Sequence, residues 1–356
     1  MYLPSSFTAS CRYPLFNPGN RLIAFCLPVV LISVLTTACG GGSSSTTGSS
    51  SSVSSNTTSD TPVDITDSEF SKRSGDCADY VDSYFSNVID AQSSAAFVGD
   101  LAISVSSGDC IFQTNAIPNH DFNVNGSFAT PVSAQSATYR VTTSPAFAAS
   151  NTDLELGESA IFLNGVKLDL LPAACFDVGT EPLGQEKIGC GQDQIEHPWR
   201  YDPMSPLNDF GTDDNNAHTQ PDGTYHYHGN PLAMFDAQCE SNMSVSPVIG
   251  FAADGFPIYG PCFDDSGTIR KATSSYVLKS GARQDVTGYT TPTVTGNVQH
   301  SYYDGQFRGD WEYSAGSGDL DECNGMTVDG QYGYYVTDTF PWVMNCLKGT
   351  KHSNFN

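Results

Sequence analysis

Eight of the eleven cysteines in this 356-residue chain lie between Cys77 and Cys346, and they restrict its fold more than any other sequence feature. No two of them form a CxxC or CxC motif, in which metal-binding cysteines usually occur. Because the chain starts with a segment typical of exported proteins, disulfides are the favoured interpretation, and ligation of a soft metal is the alternative. We predict disulfides between sequence neighbours, although other pairings remain open. The predicted pairs are Cys77–Cys110, Cys175–Cys190, Cys239–Cys262 and Cys323–Cys346.

Residues 1–38 have the features of an export signal. Arg12 and Arg21 precede an apolar run from Leu22 to Leu35, which is too short for a membrane-spanning helix. The run ends in LTTAC, which resembles the processing site of a bacterial lipoprotein with Cys39 as the lipidated residue. The resemblance implies an extracytoplasmic protein anchored to a membrane. Gly40 at the next position implies the outer membrane of a Gram-negative bacterium, and an ordinary cleaved signal peptide is the alternative.

Composition divides the rest of the chain. Residues 39–66 are rich in Gly, Ser and Thr, so they predict a flexible tether that cannot bury a core. We assign residues 67–150 to an N-terminal helix and strand region, 151–350 to the main domain and 351–356 to a tail. Only 15% of the residues are charged, and Gly and Pro are frequent. This composition favours a mainly β fold with a sandwich-like body and long loops, stabilised by disulfides.

One helix and several hairpins are predicted within this frame. Tyr80, Tyr84 and Val88 belong to an apolar pattern with three-to-four spacing, which predicts a helix within residues 67–95. Asn164-Gly165 and Asp254-Gly255 each separate two apolar runs, which is the strongest local signal for a β-hairpin.

Three of the seven histidines lie within eleven residues, in the segment HTQPDGTYHYH. In a strand, His226 and His228 point to one face, and Tyr225 and Tyr227 point to the other. If the Pro-Asp-Gly turn reverses the chain, His218 returns to the same face as a third ligand. Neutral imidazoles suit copper and zinc, so we predict a site for one of these metals. A structural cluster of polar side chains is the alternative.

Other groups near these histidines are candidates to support such a site. Asp222 and Asp254 are candidate hydrogen-bond acceptors for the imidazoles, and Tyr225 and Tyr227 could also take part. Both aspartates also lie in turns, where Asp-Gly is common for backbone reasons alone.

A weak internal repeat surrounds the histidines. When Asp222-Gly223 is aligned with Asp329-Gly330, Tyr225 and Tyr227 match two later tyrosines, whereas the histidines match glycine and tyrosine. The repeat therefore suggests that the tyrosines are structural and that the histidines belong to a site.

The charge balance limits the kinds of partner. The chain has 15 Lys and Arg against 39 Asp and Glu, so its surface repels nucleic acid. Three tryptophans, Trp199, Trp311 and Trp342, are candidates for binding a glycan or a protein, and core packing is the alternative.

Three segments together resemble a known family. They are AHTQPDGTYHYHGNP from Ala217, VIGFAADGFPIYGP from Val248, and DECNGMTVDGQYGYYVTDTFPWVMNCLKGT from Asp321. These motifs resemble the YHYH-domain family over roughly residues 154–350. The resemblance implies a compact exported domain of unknown function.

Three functions remain open from the sequence. The first is an extracytoplasmic protein that binds copper or zinc through His218, His226 and His228. The second is a metal-dependent hydrolase that uses the same site, with Asp222 or Asp254 as the base, although the chain has no HExxH or GxSxG motif. The third is a surface module that binds glycans or proteins without a metal. Whether the protein is an enzyme is left open.

Overall fold

The structure is a computed structural model that describes residues 61–179, 189–239 and 245–355. The predicted signal peptide, Cys39 and the first part of the predicted tether lie outside the described residues. The described part of the chain is mainly β, with four short 3-10 helices. No helix within these ranges is long and apolar enough to cross a membrane.

The strands are, in chain order, β1 (Val63–Asp64), β2 (Asp82–Ile89), β3 (Ala96–Ser106), β4 (Asp109–Thr114), β5 (Ala137–Thr142), β6 (Thr152–Asp153), β7 (Ala160–Phe162), β8 (Lys167–Leu168), β9 (Ala217–Thr219), β10 (Tyr225–Tyr227), β11 (Val248–Ala252), β12 (Pro257–Tyr259), β13 (Cys262–Asp265), β14 (Thr268–Lys271), β15 (Tyr276–Leu278), β16 (Trp311–Tyr313), β17 (Gly325–Val328), β18 (Gln331–Tyr335) and β19 (Cys346–Leu347). The 3-10 helices are Cys77–Tyr80, Gln192–Gln194, Leu232–Met234 and Arg308–Asp310.

Strands β1 to β5 form a five-stranded sheet in sequence order. Strand β1 runs parallel to β2, and the other neighbours are antiparallel. Strand β1 lies within residues 61–66, the end of the segment that we assigned to the tether. Three further pairs, β13–β14, β15–β16 and β6–β19, are small two-stranded sheets.

The predicted N-terminal helix is wrong, because Tyr84 and Val88 lie in strand β2 and Tyr80 ends a short 3-10 helix. Eight consecutive residue pairs join β2 to β3, from Asp82 opposite Ile103 to Ile89 opposite Ala96. Ser86 and Val88 point into the protein while the residues beside them are more exposed, which is the two-residue period of a strand. Tyr, Phe, Val and Ile favour such a half-buried surface, and here the pairing with β3 decides the structure.

An eight-stranded sheet carries the histidine segment. Its order is β17-β18-β12-β11-β7-β8-β10-β9, and it consists of two equivalent halves. In one half, the hairpin β7–β8 is followed by the hairpin β9–β10, with β10 parallel to β8. In the other half, β11–β12 is followed by β17–β18, with β18 parallel to β12. The halves meet at the antiparallel pair β7–β11, so the weak sequence repeat corresponds to a repeat of structure.

The predicted hairpin turns are confirmed in both halves. Asn164-Gly165 joins β7 to β8, and Asp254-Gly255 joins β11 to β12. Gly165 and Gly255 have φ of 83° and 89°, values that glycine adopts without strain.

The two large sheets share one hydrophobic core. Phe251 of β11 is fully buried, and its ring centroid lies 6.2 Å from that of Phe112 in β4 and 5.6 Å from that of Tyr80. Burying a side chain of this size stabilises the fold by about 1.5–3 kcal/mol. A second, smaller core surrounds Trp199, Tyr201 and Phe307.

All four predicted disulfides are present. They join Cys77 to Cys110, Cys175 to Cys190, Cys239 to Cys262 and Cys323 to Cys346. Each one closes a loop of 15 to 33 residues. Loops of this length gain about 3 kcal/mol from the cross-link in the chain-entropy model.

Candidate metal centre

The hairpin β9–β10 brings three histidines to one face of the sheet. His218 lies directly opposite His226 in the antiparallel pair, so their side chains share a face. His228 follows His226 by two residues and therefore points the same way. Gly223, with φ of 86°, allows the turn that reverses the chain. We refer to His218, His226 and His228 as the histidine cluster.

The three imidazoles converge through the same ring atom. Nε2 of His228 lies 2.9 Å from Nε2 of His218 and 3.1 Å from Nε2 of His226. The ring centroids of all three pairs are 4.7 Å apart. The cluster also meets the geometry of a metal site, because one ligand atom from each residue lies within 4.8 Å of the others.

Backbone carbonyls determine which nitrogen faces the centre in two of these rings. Nδ1 of His218 lies 2.6 Å from the carbonyl oxygen of Phe210, and Nδ1 of His226 lies 3.3 Å from that of Thr224. A carbonyl only accepts, so in the neutral rings Nδ1 carries the proton and Nε2 presents a lone pair. This is the tautomer that metal-bound histidines adopt when Nδ1–H binds a backbone carbonyl.

The histidine cluster is buried. His226, His228 and His218 expose 0%, 2% and 4% of their surface. Burial lowers the pKa of both His226 and His228 well below the usual range, and neighbouring histidines and Lys167 lower these pKa values further. Lys167 lies opposite His226 in β8, where its Nζ binds Glu158 and Gln220 at 3.1 Å each.

These residues fit a metal ion. In its neutral form, His228 can donate at most one proton from Nε2, yet this atom faces the lone pairs of two other rings. A single cation accepts all three lone pairs at once. Zinc–nitrogen bonds of about 2.0–2.1 Å place the nitrogens of a tetrahedral site about 3.4 Å apart, so small shifts of the rings suffice.

The sequence model of a family described as YHYH protein matches residues 138–349, more than half of the chain. The chain belongs to the YHYH family. The match includes all of the eight-stranded sheet and, of the five-stranded sheet, β5. No curated protein and no solved structure matched the chain.

The tyrosines of the YHYH segment lie on the face opposite the histidines. Tyr225 donates a hydrogen bond to Asp213 at 2.9 Å. Tyr227 binds His120 Nε2 at 2.7 Å and accepts a hydrogen bond from Asn164 at 2.9 Å. Burial raises the pKa of both tyrosines well above the usual range, so they stay protonated. These contacts anchor strand β10 from the side away from the histidine cluster.

His120 is a residue of this network that the sequence reasoning missed. It is buried and comes from the loop after β4, 107 residues before Tyr227. Its Nδ1 binds the carbonyl of Asp121 at 2.8 Å, so Nε2 accepts the proton of Tyr227. Burial lowers the pKa of His120. As an isolated histidine, it has no spacing that could have marked it.

The two predicted supporting aspartates have other contacts. Asp222 is exposed in the turn before β10, where Oδ1 accepts a hydrogen bond from the backbone N–H of Thr224 at 2.9 Å. Asp254 is buried in the turn after β11, which lies three strands from β10 in the sheet. It accepts hydrogen bonds from Tyr334 at 2.6 Å and from the N–H of Gly349 at 2.9 Å. The Asp222 contact stabilises the turn before β10, and the Asp254 contacts hold Tyr334 and Gly349.

Proposed function

We propose that this YHYH protein binds one copper or zinc ion through His218, His226 and His228, and that its role is to bind, buffer or deliver the metal. The convergence of the three Nε2 atoms supports this proposal most strongly. Two of the rings have Nδ1 on a backbone carbonyl, and this contact directs their Nε2 lone pairs to the centre. Such preorganisation lowers the entropy cost of binding.

Burial of the histidine cluster favours binding over hydrolysis. A hydrolytic metal needs a water-accessible position and a base beside it. All three imidazoles are less than 5% exposed, and the two predicted bases, Asp222 and Asp254, form their hydrogen bonds elsewhere. A hydrolase that uses the same histidines stays the alternative.

The charge of the site favours an ion of low charge. Imidazole ligands carry no negative charge, and Lys167 beside His226 makes the site more positive, although Glu158 offsets part of this effect. Because a buried charge is costly, Cu(I) is expected to bind better than Zn(II). Competition between the two ions, with ascorbate to keep copper reduced, measures this preference.

We also propose that the protein works outside the cytoplasm, anchored through a lipid on Cys39 to the outer membrane of a Gram-negative bacterium. Four disulfides are typical of an oxidising compartment and support this location. Metabolic labelling with a fatty acid, compared between the natural chain and the Cys39→Ala variant, tests the anchor.

The glycan or protein module has less support than the metal site. Trp199 is buried, and Trp311 and Trp342 are only partly exposed. Trp311 stacks on Phe340, and the indole N–H of Trp342 binds the carboxylate of Asp202. These contacts are typical of packing rather than of an exposed row of rings.

Elemental analysis of the untagged full chain, produced in an oxidising compartment, tests the metal proposal. We expect about one equivalent of copper or zinc in the natural protein and none in the His226→Ala/His228→Ala variant. The His300→Ala/His352→Ala variant is the matched control, because it also loses two histidines but keeps the cluster. Near-UV circular dichroism and a thiol assay establish that each variant is folded with four disulfides. Metal retained by the cluster variant, or absent from the natural protein after incubation with both ions, contradicts the proposal.

A further inference from the structure

A second site lies away from the histidine cluster, in a cavity of about 350 Å³. This volume lies at the lower end of the range for small-molecule sites. The cavity lies between residues 195–200 and the C-terminal part of the domain. Its walls include Arg200, Arg308, Trp311, Phe340, Tyr276 and His197.

The two arginines of this cavity lack carboxylate partners. In the described part of the chain, no carboxylate lies within 4 Å of either guanidinium group. Arg283, another buried arginine, shows the usual compensation, because it binds both Asp304 and Asp310. A buried charge without a partner is costly, so the buried Arg200 is unusual in a chain with a net charge of −24, and the partly exposed Arg308 also lacks a partner.

Local contacts hold Arg200 in place but leave one donor free. Its terminal nitrogens donate to the carbonyls of Pro172, Cys190 and Gln194 at 2.6 to 3.2 Å. Its Nε is buried without a hydrogen-bond partner among the described residues. The backbone N–H of Arg308 donates to the carbonyl of Arg200 at 2.9 Å, and burial together with this neighbouring cation lowers the pKa of Arg200 to about 10.

Arg308 is partly exposed and lies over an aromatic wall. Its guanidinium carbon is 4.9 Å from the ring centroid of Phe340, and one terminal nitrogen binds Asn345 at 2.6 Å. Trp311 stacks on Phe340 with an angle of 6° between the rings, and its indole N–H is also buried without a partner among the described residues. Asp202 attracts Arg308 only from beyond salt-bridge distance.

We propose that this cavity binds a small organic anion whose carboxylate faces Arg308 and Arg200 and whose planar body lies against Trp311 and Phe340. A carboxylate supplies the missing negative charge and accepts charge-assisted hydrogen bonds from the partly exposed guanidinium group of Arg308. The flat aromatic pair favours an unsaturated or ring-shaped body over an inorganic anion. Glu196, at the same cavity, disfavours a ligand with several negative charges.

Calorimetric titration of the full chain with benzoate, at constant ionic strength, tests the proposal. We expect benzoate to bind the natural protein, and benzamide and inorganic phosphate to bind at least tenfold more weakly. The Arg308→Met variant should lose about 10- to 100-fold in benzoate affinity, because a charge-assisted hydrogen bond is lost. Arg140→Met is the matched control, since it removes the same charge from strand β5, outside the cavity.

Thermal unfolding without ligand separates a binding role of Arg308 from a structural one. We expect Arg308→Met to unfold at the same temperature as the natural protein or higher, because it removes a charge that lacks a partner. Three results contradict the proposal: no binding of benzoate, acetate or phosphate to the natural protein, equal binding of benzoate and benzamide, or equal benzoate affinity in Arg308→Met.

Discussion

The hairpins β9–β10 and β17–β18 have nearly the same scaffold. In each, an aspartate four residues before the first strand accepts a hydrogen bond from the first tyrosine of the second strand. The distance is 2.9 Å from Tyr225 to Asp213 and 3.1 Å from Tyr332 to Asp321. The N–H of each aspartate also binds the carbonyl of the residue four positions later, at 2.8 and 2.9 Å. The two hairpins therefore share side-chain contacts as well as topology.

The second tyrosines repeat the same correspondence. Tyr227 binds Asn164, which opens the β7–β8 turn, and Tyr334 binds Asp254, which opens the β11–β12 turn. In each half of the eight-stranded sheet, this tyrosine therefore links the two hairpins of that half. The amide and the carboxylate are close in shape and differ mainly in charge.

The opposite faces of the two hairpins differ completely. Where the first has the histidine cluster, the second has Met326, Gly333 and Tyr335. Tyr335 stacks on Tyr259, whose ring lies so close to Gly333 that an added Cβ would come within 2.5 Å of it. One face is filled by packed aromatic rings and the other by three imidazoles. The same scaffold holds either set of side chains, which supports the proposal that the histidines bind a metal.

The largest expected effect comes from placing a histidine into the second hairpin. Gly333→His forces a ring against Tyr259 and against the backbone of Pro257, so we expect the free energy of unfolding to fall by about 3 kcal/mol. Chemical denaturation measures this loss. Thr327→His, on the exposed side of the neighbouring strand, is the control and should change stability by less than about 0.5 kcal/mol. A stable Gly333→His protein would show that the two faces are interchangeable.

A smaller effect is expected when Asp254 is made to resemble Asn164. Burial raises the pKa of Asp254, so the folded state holds its proton more tightly than the unfolded state does. In the natural protein this group therefore lowers stability as pH rises from about 4 through the folded pKa. The Asp254→Asn variant lacks this pH dependence. Its free energy of unfolding, relative to that of the natural protein, should therefore rise with pH between the unfolded and folded pKa values of Asp254, by about 1.4 kcal/mol for each pH unit that separates them.

Unfolding free energies at several pH values between 4 and 8 check this prediction. The reciprocal Asn164→Asp variant should show the opposite change, because it places a carboxylate beside Tyr227 and loses the amide donor. Parallel pH profiles for Asp254→Asn and the natural protein would mean that Asp254 is not perturbed by burial.

The smallest effect concerns the turn before β10. Asp222→Ala removes the hydrogen bond to the N–H of Thr224, so we expect a loss of about 0.5–1 kcal/mol and an unchanged metal content. Asp222→Asn keeps an acceptor and should restore most of the stability. If Asp222→Ala instead lost the metal while it stayed folded, Asp222 would support the histidine cluster and the two Asp-Gly turns would differ in function.

Features set by nearby residues could be predicted from the sequence. The turns at Asn164-Gly165 and Asp254-Gly255, the four disulfides and the meeting of three histidines all depend on short spacings. Strand alternation and one reversal of the chain suffice to bring the imidazoles together.

Features set by distant residues could not be predicted. The residues of β2 alternate weakly, and only the pairing with β3 makes them a strand. The contact of His120 with Tyr227, the burial of the histidine cluster and the approach of Arg308 to Arg200 each join segments far apart in sequence. No local pattern specifies such contacts, because they result from how the two sheets and the C-terminal segments pack.

The order of the disulfides has a consequence for biogenesis. In the described structure, the eight cysteines from Cys77 to Cys346 form four successive pairs along the chain, and no two of these pairs overlap. A chain that emerges from a translocon N-terminus first would present each partner directly after the other. An oxidase that links cysteines in order of appearance would therefore give the native set, and no isomerase would be needed to rearrange it.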